Sequence, residues 1–432
     1  MTPPPIEITS ALLSEWLDAL SRFGAEGPGV TRLAFDEHWC AAHRWLAARA
    51  ADLGLAATAD AAGNLFFHDP ALVPAAPGSP VILVGSHLDS VASGGRFDGA
   101  YGLLSGLLAA AELRGRGTLP VVGLATCEEE ESRFHGDLLG ARSLLGLASA
   151  AELDALLDSD GVSWRRALES ARLRGCATAL APGASPFTAT FRAAMMIEPH
   201  IEQGPVLETE RLGLGVVDRV AGYRRLRAIL SGEARHSGTT PMPARRDALA
   251  AAAEMILAAE TLAVENGPPA LATAGSVRAR PGLFNVVPGA CELWLEVRHV
   301  ELDGLARLLS ELERCCKAIA ARRGVGFAIE QVSSQAPTPL SPDLAAAAER
   351  LAEEQGIAHR RMASGAAHDA MVFARAGVPS LLVFVPSRRG ISHSPEEFTD
   401  AGALWTGYHF VRDLAARLAA GGGTGVLRPV GP

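Results

Sequence analysis

A histidine and an aspartate lie two positions apart in Gly85-Ser86-His87-Leu88-Asp89-Ser90, directly after a short apolar run. Strand side chains alternate with a period of two, so His87 and Asp89 would point to the same side at a strand end. Asp89 could then accept a hydrogen bond from His87 and leave the other ring nitrogen for a metal ion. Asp98, flanked by glycines, could bridge two ions. The alternative is a glycine-rich turn with a capping aspartate and a hydrogen-bonded histidine.

Four consecutive carboxylates follow a second apolar run, in Thr126-Cys127-Glu128-Glu129-Glu130-Glu131. Such a run is also typical of a solvated helix start, where acidic side chains favour the positive end of the helix dipole. A two-metal hydrolase needs one carboxylate as a ligand and an unligated one as a general base, and adjacent residues can divide these roles. Because this run would lie beside the first segment, we interpret it as part of a metal centre.

Two further histidines, His200 and His393, come at the ends of other apolar runs. Either histidine alone could be an ordinary polar loop residue. Together with His87, Asp98 and Glu130 they form two sets of nitrogen and oxygen donors. Such donors suit zinc, manganese, cobalt or nickel better than a metal that prefers thiolates.

The elements that must position these residues are predicted from apolar patterns. Pro80–Gly85 and Leu119–Thr126 read as buried strands, and Gly102–Arg114 between them reads as a helix. Strand, crossover helix and strand in this order indicate an α/β fold with a mixed, mostly parallel sheet. With Met195–Pro199 and Gly377–Val385 as further strands, all the candidate residues follow carboxyl ends of strands, where open α/β sheets bind ligands.

A chain of 432 residues is long for one core, since single cores stop growing at roughly 250 to 300 residues. Residues 212–330 show a β-α-β-β-α order, which predicts a small inserted α+β domain. Residues 1–211 and 331–432 would then form the catalytic domain.

Composition excludes several classes of function. The net charge is −9 and the basic residues are scattered, so a nucleic-acid partner is not expected. No stretch reaches the roughly 18 to 20 apolar residues of a membrane span, and Met1–Ser10 lacks the pattern of a signal peptide. The six cysteines have no C-x-x-C spacing, which predicts reduced thiols in a cytoplasmic protein.

Six motifs in order resemble the amidase/hydantoinase/carbamoylase family of di-metal, aminopeptidase-like amidohydrolases, which includes N-carbamoyl-L-amino-acid hydrolases, allantoate and ureidoglycolate amidohydrolases and β-ureidopropionases. The similarity covers nearly the whole chain. The matching stretches are Gly85–Ser90, Glu128–Phe134, His200–Pro205, Gly232–Met242, Ser364–Ala370 and Ile391–Pro395.

The resemblance implies an aminopeptidase-like catalytic domain with two divalent metal ions. Its metal ligands would be His87, Asp98 and His200 for one ion, and Asp98, Glu130 and His393 for the other. Glu129 takes the position of the general base.

The resemblance also implies that the inserted domain is a lid through which two chains form a homodimer. His236 would reach an active site, across the dimer, to polarise the scissile carbonyl. Asn285 and Arg298 match residues that grip a substrate carboxylate, with Gln203 and Gly365 nearby. A planar guanidinium suits a carboxylate because it can bind in a bidentate fashion.

The expected reaction is hydrolysis of a ureido or carbamoyl C–N bond, of an N-carbamoyl-L-amino acid to the amino acid, ammonia and carbon dioxide. Allantoate or ureidoglycolate is the alternative substrate. A dipeptidase or deacylase is disfavoured by Asn285 and Arg298, which match the ureido branch. An inactive binding protein is disfavoured because the ligands and the base are all present.

Several positions leave the substrate open. Glu131 and Arg389 stand where glycine is frequent in relatives, and Tyr223 stands where many relatives carry glutamine. Tyr223 and Arg389 could reshape the pocket. His368 and Asp369 are either a helix start with a capping acid or part of the active site.

Overall fold

The computed structural model of the chain describes residues 7–25, 27–72, 79–176 and 191–422. The first six residues, part of the segment to which the signal-peptide prediction refers, lie outside this description. Within the described ranges, no helix combines the length and apolar character that crossing a membrane requires. The chain divides into a larger unit of Met1–Asp218, Pro339–Met362 and His368–Pro432, and a smaller unit of Arg219–Thr338 and Ala363–Ala367.

The described residues form fifteen strands, numbered here in chain order. They are β1 (Ala56–Ala59), β2 (Leu65–His68), β3 (Ser79–His87), β4 (Val121–Thr126), β5 (Phe191–Ile201), β6 (Leu214–Val220), β7 (Gly222–Ser231), β8 (Arg235–His236), β9 (Leu271–Arg280), β10 (Val286–Val287), β11 (Ala290–His299), β12 (Gly326–Gln335), β13 (Thr338–Pro339), β14 (His359–Ser364) and β15 (Ser380–Val385).

The α-helices of the described residues are numbered in the same way. They are α1 (Ser10–Ser21), α2 (Glu37–Asp52), α3 (Ala100–Glu112), α4 (Leu139–Leu144), α5 (Ala150–Ala155), α6 (Trp164–Leu173), α7 (Val206–Glu210), α8 (Ala248–Asn266), α9 (Leu302–Arg323), α10 (Pro342–Glu354), α11 (Asp369–Arg375) and α12 (Ala401–Arg417).

The larger unit is built on a mixed sheet with the strand order β1-β2-β4-β3-β5-β15-β6-β13, and β14 pairs with β6. The central pairs β3–β4, β3–β5 and β5–β15 are parallel. The pairs β1–β2, β2–β4 and β6–β15 are antiparallel. The predicted α/β class with a mixed sheet is therefore confirmed, and the carboxyl ends of β3, β4, β5 and β15 meet at one edge.

Burial explains why the central strands read as continuous apolar runs. Every residue of β4 and of β15 is buried, as expected for strands covered on both faces. Helix α3 crosses between β3 and β4, packs on both strands, and is apolar on all sides. Asp36 begins α2 by accepting a hydrogen bond from the amide of Trp39, which satisfies one of the unpaired donors of the first turn.

The smaller unit is a separate α+β structure. Its antiparallel sheet has the order β12-β7-β11-β9, and β8 pairs with β10 in a two-stranded ribbon. Buried and half-buried side chains alternate along β11, so that Leu293, Leu295 and Val297 face a core shared with α8 and α9. This period of two is typical of a sheet that has one face covered by helices.

Candidate metal centre

The candidate ligands lie where the central strands of the larger unit end. His87 is the last residue of β3, and Glu130 follows the end of β4 at Thr126. His200 is the penultimate residue of β5, and His393 lies in the loop after β15. Because these strands are parallel neighbours, their ends bring the four side chains to one edge of the sheet.

Asp98 lies at the middle of this group. Its Oδ1 atom is 3.1 Å from Nε2 of His200 and 3.5 Å from Nε2 of His87. Its Oδ2 atom is 3.4 Å from Nε2 of His393, which is itself 3.3 Å from Oε2 of Glu130. Two ligand trios therefore share one carboxylate, and within each trio the ligand atoms lie within 4.8 Å of one another.

The hydrogen bonding of these atoms fits a site for divalent cations. Glu130 Oε1 is buried and has no hydrogen-bond partner among the described residues, and Asp98 Oδ1 and His200 Nε2 face each other at 3.1 Å without the geometry of a hydrogen bond. Buried polar atoms are normally satisfied, so this cluster of nitrogen and oxygen atoms fits the binding of a further group. Imidazole nitrogen and carboxylate oxygen are the donors that zinc, manganese and related ions accept.

The backbone orients two of the imidazole rings. Nδ1 of His87 lies 2.9 Å from the main-chain oxygen of Asp89, and Nδ1 of His200 lies 2.8 Å from the main-chain oxygen of Ile201. Protonation at Nδ1 leaves each Nε2 to face Asp98. Gly99 has a φ of 65°, and a Cβ there would come within 2.4 Å of the His87 ring, which explains the glycine after Asp98.

The predicted contact between the His87 ring and the Asp89 carboxylate is wrong in its acceptor atom. The strand ends at His87, so the period of two does not extend to Asp89, whose carbonyl accepts instead. The Asp89 carboxylate accepts the amides of Glu129 at 3.2 Å and of Glu130 at 3.0 Å. Asp89 therefore supports the loop that carries Glu129 and Glu130 as well as the ring of His87.

Glu129 has the burial and charge environment of a general base beside this cluster. Its side chain is 8% exposed, and Oε2 lies 3.9 Å from Nε2 of His87. Burial raises its pKa well above the usual range, His87 opposes the rise, and the negative charge of Glu130 adds to it. A carboxylate with a raised pKa is a stronger proton acceptor, and a nearby cation would bring that pKa back toward neutrality.

The first and last of the four consecutive carboxylates shape the loop. Oε1 of Glu128 accepts the amides of Arg133 at 2.8 Å and of Phe134 at 2.6 Å. Glu128 and Glu131 have φ angles of 53° and 52°, in the left-handed region. The sequence did not assign a role to Glu128, although its place in the run was visible.

Sequence reasoning also missed Glu397. Its Oε1 atom accepts the amides of Phe97 at 2.9 Å and of Asp98 at 3.1 Å. The Ser392 hydroxyl lies 2.8 Å from Oε2 of Glu397 and 2.8 Å from Oδ2 of Asp98, so it connects the two carboxylates. Burial, followed by the charge of Asp98, raises the pKa of Glu397 to about 7. Glu397 thus holds the backbone and one oxygen of the shared ligand.

Replacing Glu397 with alanine is expected to weaken metal binding by about 10- to 100-fold, because partners of metal ligands tune affinity to this extent. The substitution leaves the amides of Phe97 and Asp98 without their acceptor. Competition with a chelating dye measures the affinity. Glu397→Gln keeps one acceptor oxygen and should lose less. Unchanged affinity in the alanine variant would remove this role.

A second layer of buried polar groups lies beneath the centre. Glu198 accepts the Ser86 hydroxyl at 2.8 Å and the Ala370 amide at 2.7 Å. Although Glu198, His200 and His368 form a third ligand trio by distance, both oxygens of Glu198 are thus engaged. The centroids of the His368 and His200 rings are 4.6 Å apart.

The structure places His368 and Asp369 at a helix start but shows no capping by either side chain, and a role in the active site stays a prediction. His368 is the residue before α11, and Asp369 is the first residue of that helix. The Thr126 hydroxyl, at the end of β4, donates to the Asp369 carboxylate. Both residues therefore begin a helix and also contact the layer beneath the candidate ligands.

The three histidines carry raised pKa values in the metal-free protein. The hydrogen bonds with Asp98 and then Glu130 raise the pKa of His393 to about 10. Burial lowers the pKa of His87 and of His200, but the facing carboxylates, Glu129 and Asp98 respectively, outweigh it, so both pKa values rise. At neutral pH the His393 ring therefore holds a proton that a metal ion must displace.

Metal binding is therefore expected to release protons, and the affinity should increase as pH rises toward 10, the region of the His393 pKa. Isothermal titration of the stripped protein with zinc, in buffers of different ionisation enthalpy, measures the number released. Heats that do not depend on the buffer would contradict the protonation inferred for His393.

Gln203, predicted to bind substrate, lies beside the shared ligand. Its Nε2 atom donates to Oδ2 of Asp98 at 2.8 Å, and its backbone has a φ of 56°. The side-chain amide of Gln203 is therefore hydrogen-bonded to a candidate metal ligand. Contact of Gln203 with substrate stays a prediction.

The smaller unit holds the other predicted substrate residues in two groups. His236 and Asn285 are neighbours at the β8–β10 ribbon, where the amide of Ser237 donates to the carbonyl of Asn285 at 3.0 Å. Arg298 lies near the far end of β11 and donates through Nη1 to the carbonyl of Gly365 at 2.6 Å. The structure thus pairs His236 with Asn285, and Arg298 with Gly365.

The Arg298 guanidinium is held in a fixed orientation. Its Nε atom donates to Oε1 of Glu296 at 2.6 Å, and its Cζ atom lies 5.7 Å from the centroid of the Tyr223 ring. Arg225 lies over the same ring at 4.4 Å. The hydrogen bonds of Arg298 within the described part of the chain use Nε and Nη1 but not Nη2, so the Nη1–Nη2 edge can still face a carboxylate.

Two departures from the family pattern fall on strained backbone. Glu131 and Arg389, where the family resemblance led us to expect glycine, have φ angles of 52° and 54°. A side chain in this region costs roughly 1 to 2 kcal/mol, and glycine adopts it without that cost. Glycine would avoid this conformational cost at both positions.

Replacing Arg389 with glycine is expected to stabilise the protein by about 0.5 to 1 kcal/mol, since relief of strain exceeds the entropy cost of glycine. The ion pair lost is with Glu396, and both side chains are largely exposed, so little is forfeited. Thermal and urea unfolding measure the change. Arg388→Gly is the neighbouring control, and equal effects of the two variants would exclude the strain explanation.

Three comparisons with known proteins agree with this geometry. The sequence profile of Peptidase family M20/M25/M40 matches residues 83–417. The chain is 38% identical to an N-carbamoyl-L-amino-acid amidohydrolase of Paenarthrobacter aurescens, over 91% of this chain and 94% of that one. It is 35% identical to an allantoate amidohydrolase of Escherichia coli, over 94% and 96%. A hydantoinase/carbamoylase family amidase of Burkholderia multivorans superposes with a TM-score of 0.86 at 31% identity, covering 96% of this chain and 99% of that one.

Proposed function

The chain belongs to Peptidase family M20/M25/M40, in its hydantoinase/carbamoylase amidase group, and we propose that it hydrolyses the ureido C–N bond of a small carboxylate-bearing substrate. The preferred substrate class is an N-carbamoyl-L-amino acid, with the amino acid, ammonia and carbon dioxide as products. The observation that carries the proposal is the pair of ligand trios that share Asp98, with Glu129 beside them.

We propose that two divalent ions, zinc or manganese, cobalt or nickel, bind at these trios. Such ions supply Lewis-acid polarisation and lower the pKa of water. His87, Asp98 and His200 would hold one ion, and Asp98, Glu130 and His393 the other. Glu129, which is not a member of either trio, accepts the proton of the attacking water and passes it to the leaving nitrogen.

Substrate recognition is assigned to the smaller unit. The open edge of the Arg298 guanidinium binds the carboxylate in a bidentate fashion, and Glu296 and Gly365 fix its direction. His236, whose side chain is exposed, polarises the scissile carbonyl, and Asn285 assists in binding the carboxylate. A dipeptide lacks the terminal ureido nitrogen, so it would not yield ammonia.

The spacing along β11 supports a site made by two chains. Eight residue steps separate Ala290, beside the ribbon of His236, from Arg298. At about 3.3 Å per step these residues are about 26 Å apart, too far for one small substrate to touch both groups. His236 and Asn285 would therefore come from a partner copy of the chain.

The smaller unit also offers an apolar surface for such a dimer. Strand β9 lies at the edge of its sheet and exposes Leu271 and Val277, and Phe284 is exposed next to Asn285. Unpaired strand edges with apolar side chains are typical of pairing surfaces. We propose a homodimer formed through this unit.

A cytoplasmic location stays a prediction.

The decisive assay is ammonia release by the metal-stripped protein, with and without added manganese or zinc. The substrates are N-carbamoyl-L-amino acids, allantoate, ureidoglycolate, N-carbamoyl-β-alanine and a dipeptide. Metal-dependent ammonia from one ureido compound would support the proposal and identify the substrate. Cleavage of the dipeptide with no ammonia from the others would assign the chain to peptide hydrolysis.

Allantoate is the second candidate substrate, because the similarity to an allantoate amidohydrolase is almost as high and covers as much of the chain. Allantoate carries two ureido groups on one carbon, whereas a carbamoyl amino acid carries one. The assay separates them by the rate of ammonia release from each compound.

A further inference from the structure

Two cysteines that the proposed reaction does not use lie together in the larger unit. Cys40 is in the first turns of α2, and Cys176 follows the end of α6, 136 positions later. Both side chains are fully buried. The Cys176 thiol donates to the main-chain oxygen of Cys40 at 3.3 Å, and the two cysteine side chains lie close enough for each to shift the pKa of the other.

Arg44, one helical turn after Cys40 in α2, distinguishes the two sulfurs. Its Nη1 atom lies 3.3 Å from Sγ of Cys176 and also donates to the carbonyl of Arg174 at 3.0 Å. A guanidinium at this distance favours the thiolate form. The neighbouring Cys40 side chain, with help from Arg44, lowers the pKa of Cys176 to about 7, whereas the neighbouring Cys176 side chain raises the pKa of Cys40.

We propose that Cys40 and Cys176 form an oxidisable dithiol, in which Cys176 reacts first with a hydroperoxide and Cys40 then closes a disulfide. The Cys176 thiolate attacks one peroxide oxygen, the S–O bond forms, the O–O bond breaks, and hydroxide or alkoxide leaves. The sulfur of Cys40 then attacks that of Cys176, the S–S bond forms, and water leaves with the proton of Cys40. The two thiols lose two electrons in total, which reduce the peroxide.

The other cysteines lack this arrangement among the described residues. Cys127 and Cys291 are buried, and no guanidinium lies within hydrogen-bonding distance of either sulfur. Cys315 and Cys316 are consecutive in α9, where the geometry of a disulfide is poor. The thiols of these other cysteines therefore serve as internal controls for the reactivity of Cys176.

The test treats the full-length, metal-loaded protein with hydrogen peroxide, blocks the remaining thiols, and maps disulfides by mass spectrometry after proteolysis. We expect a peptide pair linked through Cys40 and Cys176, with the intact mass lowered by two hydrogen atoms. In Cys40→Ser, dimedone should trap a sulfenic acid on Cys176, whereas Cys176→Ser should give no sulfenic acid on Cys40. Cys291→Ser is the matched control and should keep the linked pair.

The rate of oxidation gives a readout that does not depend on the cysteine variants folding. Arg44→Gln keeps both thiols and should slow disulfide formation by about tenfold, because the thiolate fraction falls. Absence of the Cys40–Cys176 pair in the wild-type protein would overturn the proposal. So would labelling of Cys176 by dimedone at the same rate as Cys127 and Cys291.

Discussion

Replacing Glu129 with glutamine is expected to lower kcat by about 10³-fold, within the range that general acid–base catalysis contributes. Glutamine has the same shape but cannot accept a proton from the attacking water. The substitution leaves the five candidate ligands unchanged, and the backbone amide of residue 129 can still donate to the Asp89 carboxylate. Ammonia release measures kcat, and metal analysis of the same sample should find the wild-type metal content.

Glu128 supplies the matched control for this substitution. It is the adjacent buried carboxylate, and burial raises its pKa to about 8, so it shares the unusual environment of Glu129. Its Oε1 atom accepts two backbone amides, and glutamine would keep that acceptor. Glu128→Gln should therefore retain most of the activity. Equal losses in the two variants would show that the loop, rather than a base at position 129, accounts for the effect.

The meeting of the candidate ligands could be predicted because it depends on strand order alone. β3, β4, β5 and β15 are recognisable as apolar runs, and parallel strands present their carboxyl ends at the same edge. These ends carry His87 and His200 and are followed by Glu130 and His393, so the sequence indicates that the four residues lie close together. The fold class was predictable for the same reason, whereas the roles of these residues as ligands stay predictions.

Contacts that depend on loop geometry were not predictable. The carboxylate of Glu397 accepts the Asp98 amide across 299 positions, and no periodicity relates the two residues. The predicted hydrogen-bond acceptor for His87 was wrong because the strand ends two residues before Asp89. The left-handed backbone of Gln203 and His393, with φ angles of 56° and 54°, likewise follows from tertiary packing.

Two inactive variants are expected to restore activity to each other if the site is made by two chains. We would co-express a His236→Ala chain and a Glu129→Gln chain with different tags and purify the heterodimer through both. One of its two sites then combines an intact Glu129 with an intact His236 of the partner copy. The heterodimer should show about half the wild-type activity, because closed two-fold symmetry provides two equivalent sites. Ammonia release measures this against both parent homodimers.

A variant of Asn285 provides the control. It distinguishes a site completed by the partner chain from a gain of activity caused by co-expression of any two variants. Asn285 and His236 lie on the same ribbon and would enter the same partner's site, so a heterodimer of His236→Ala and Asn285→Ala has a defect in each of its two sites. That pair should show no restoration. If the first heterodimer is also no more active than its parents, while a doubly tagged wild-type dimer is fully active, His236 acts within its own chain. The distance along β11 would then require the substrate to be bound without Arg298.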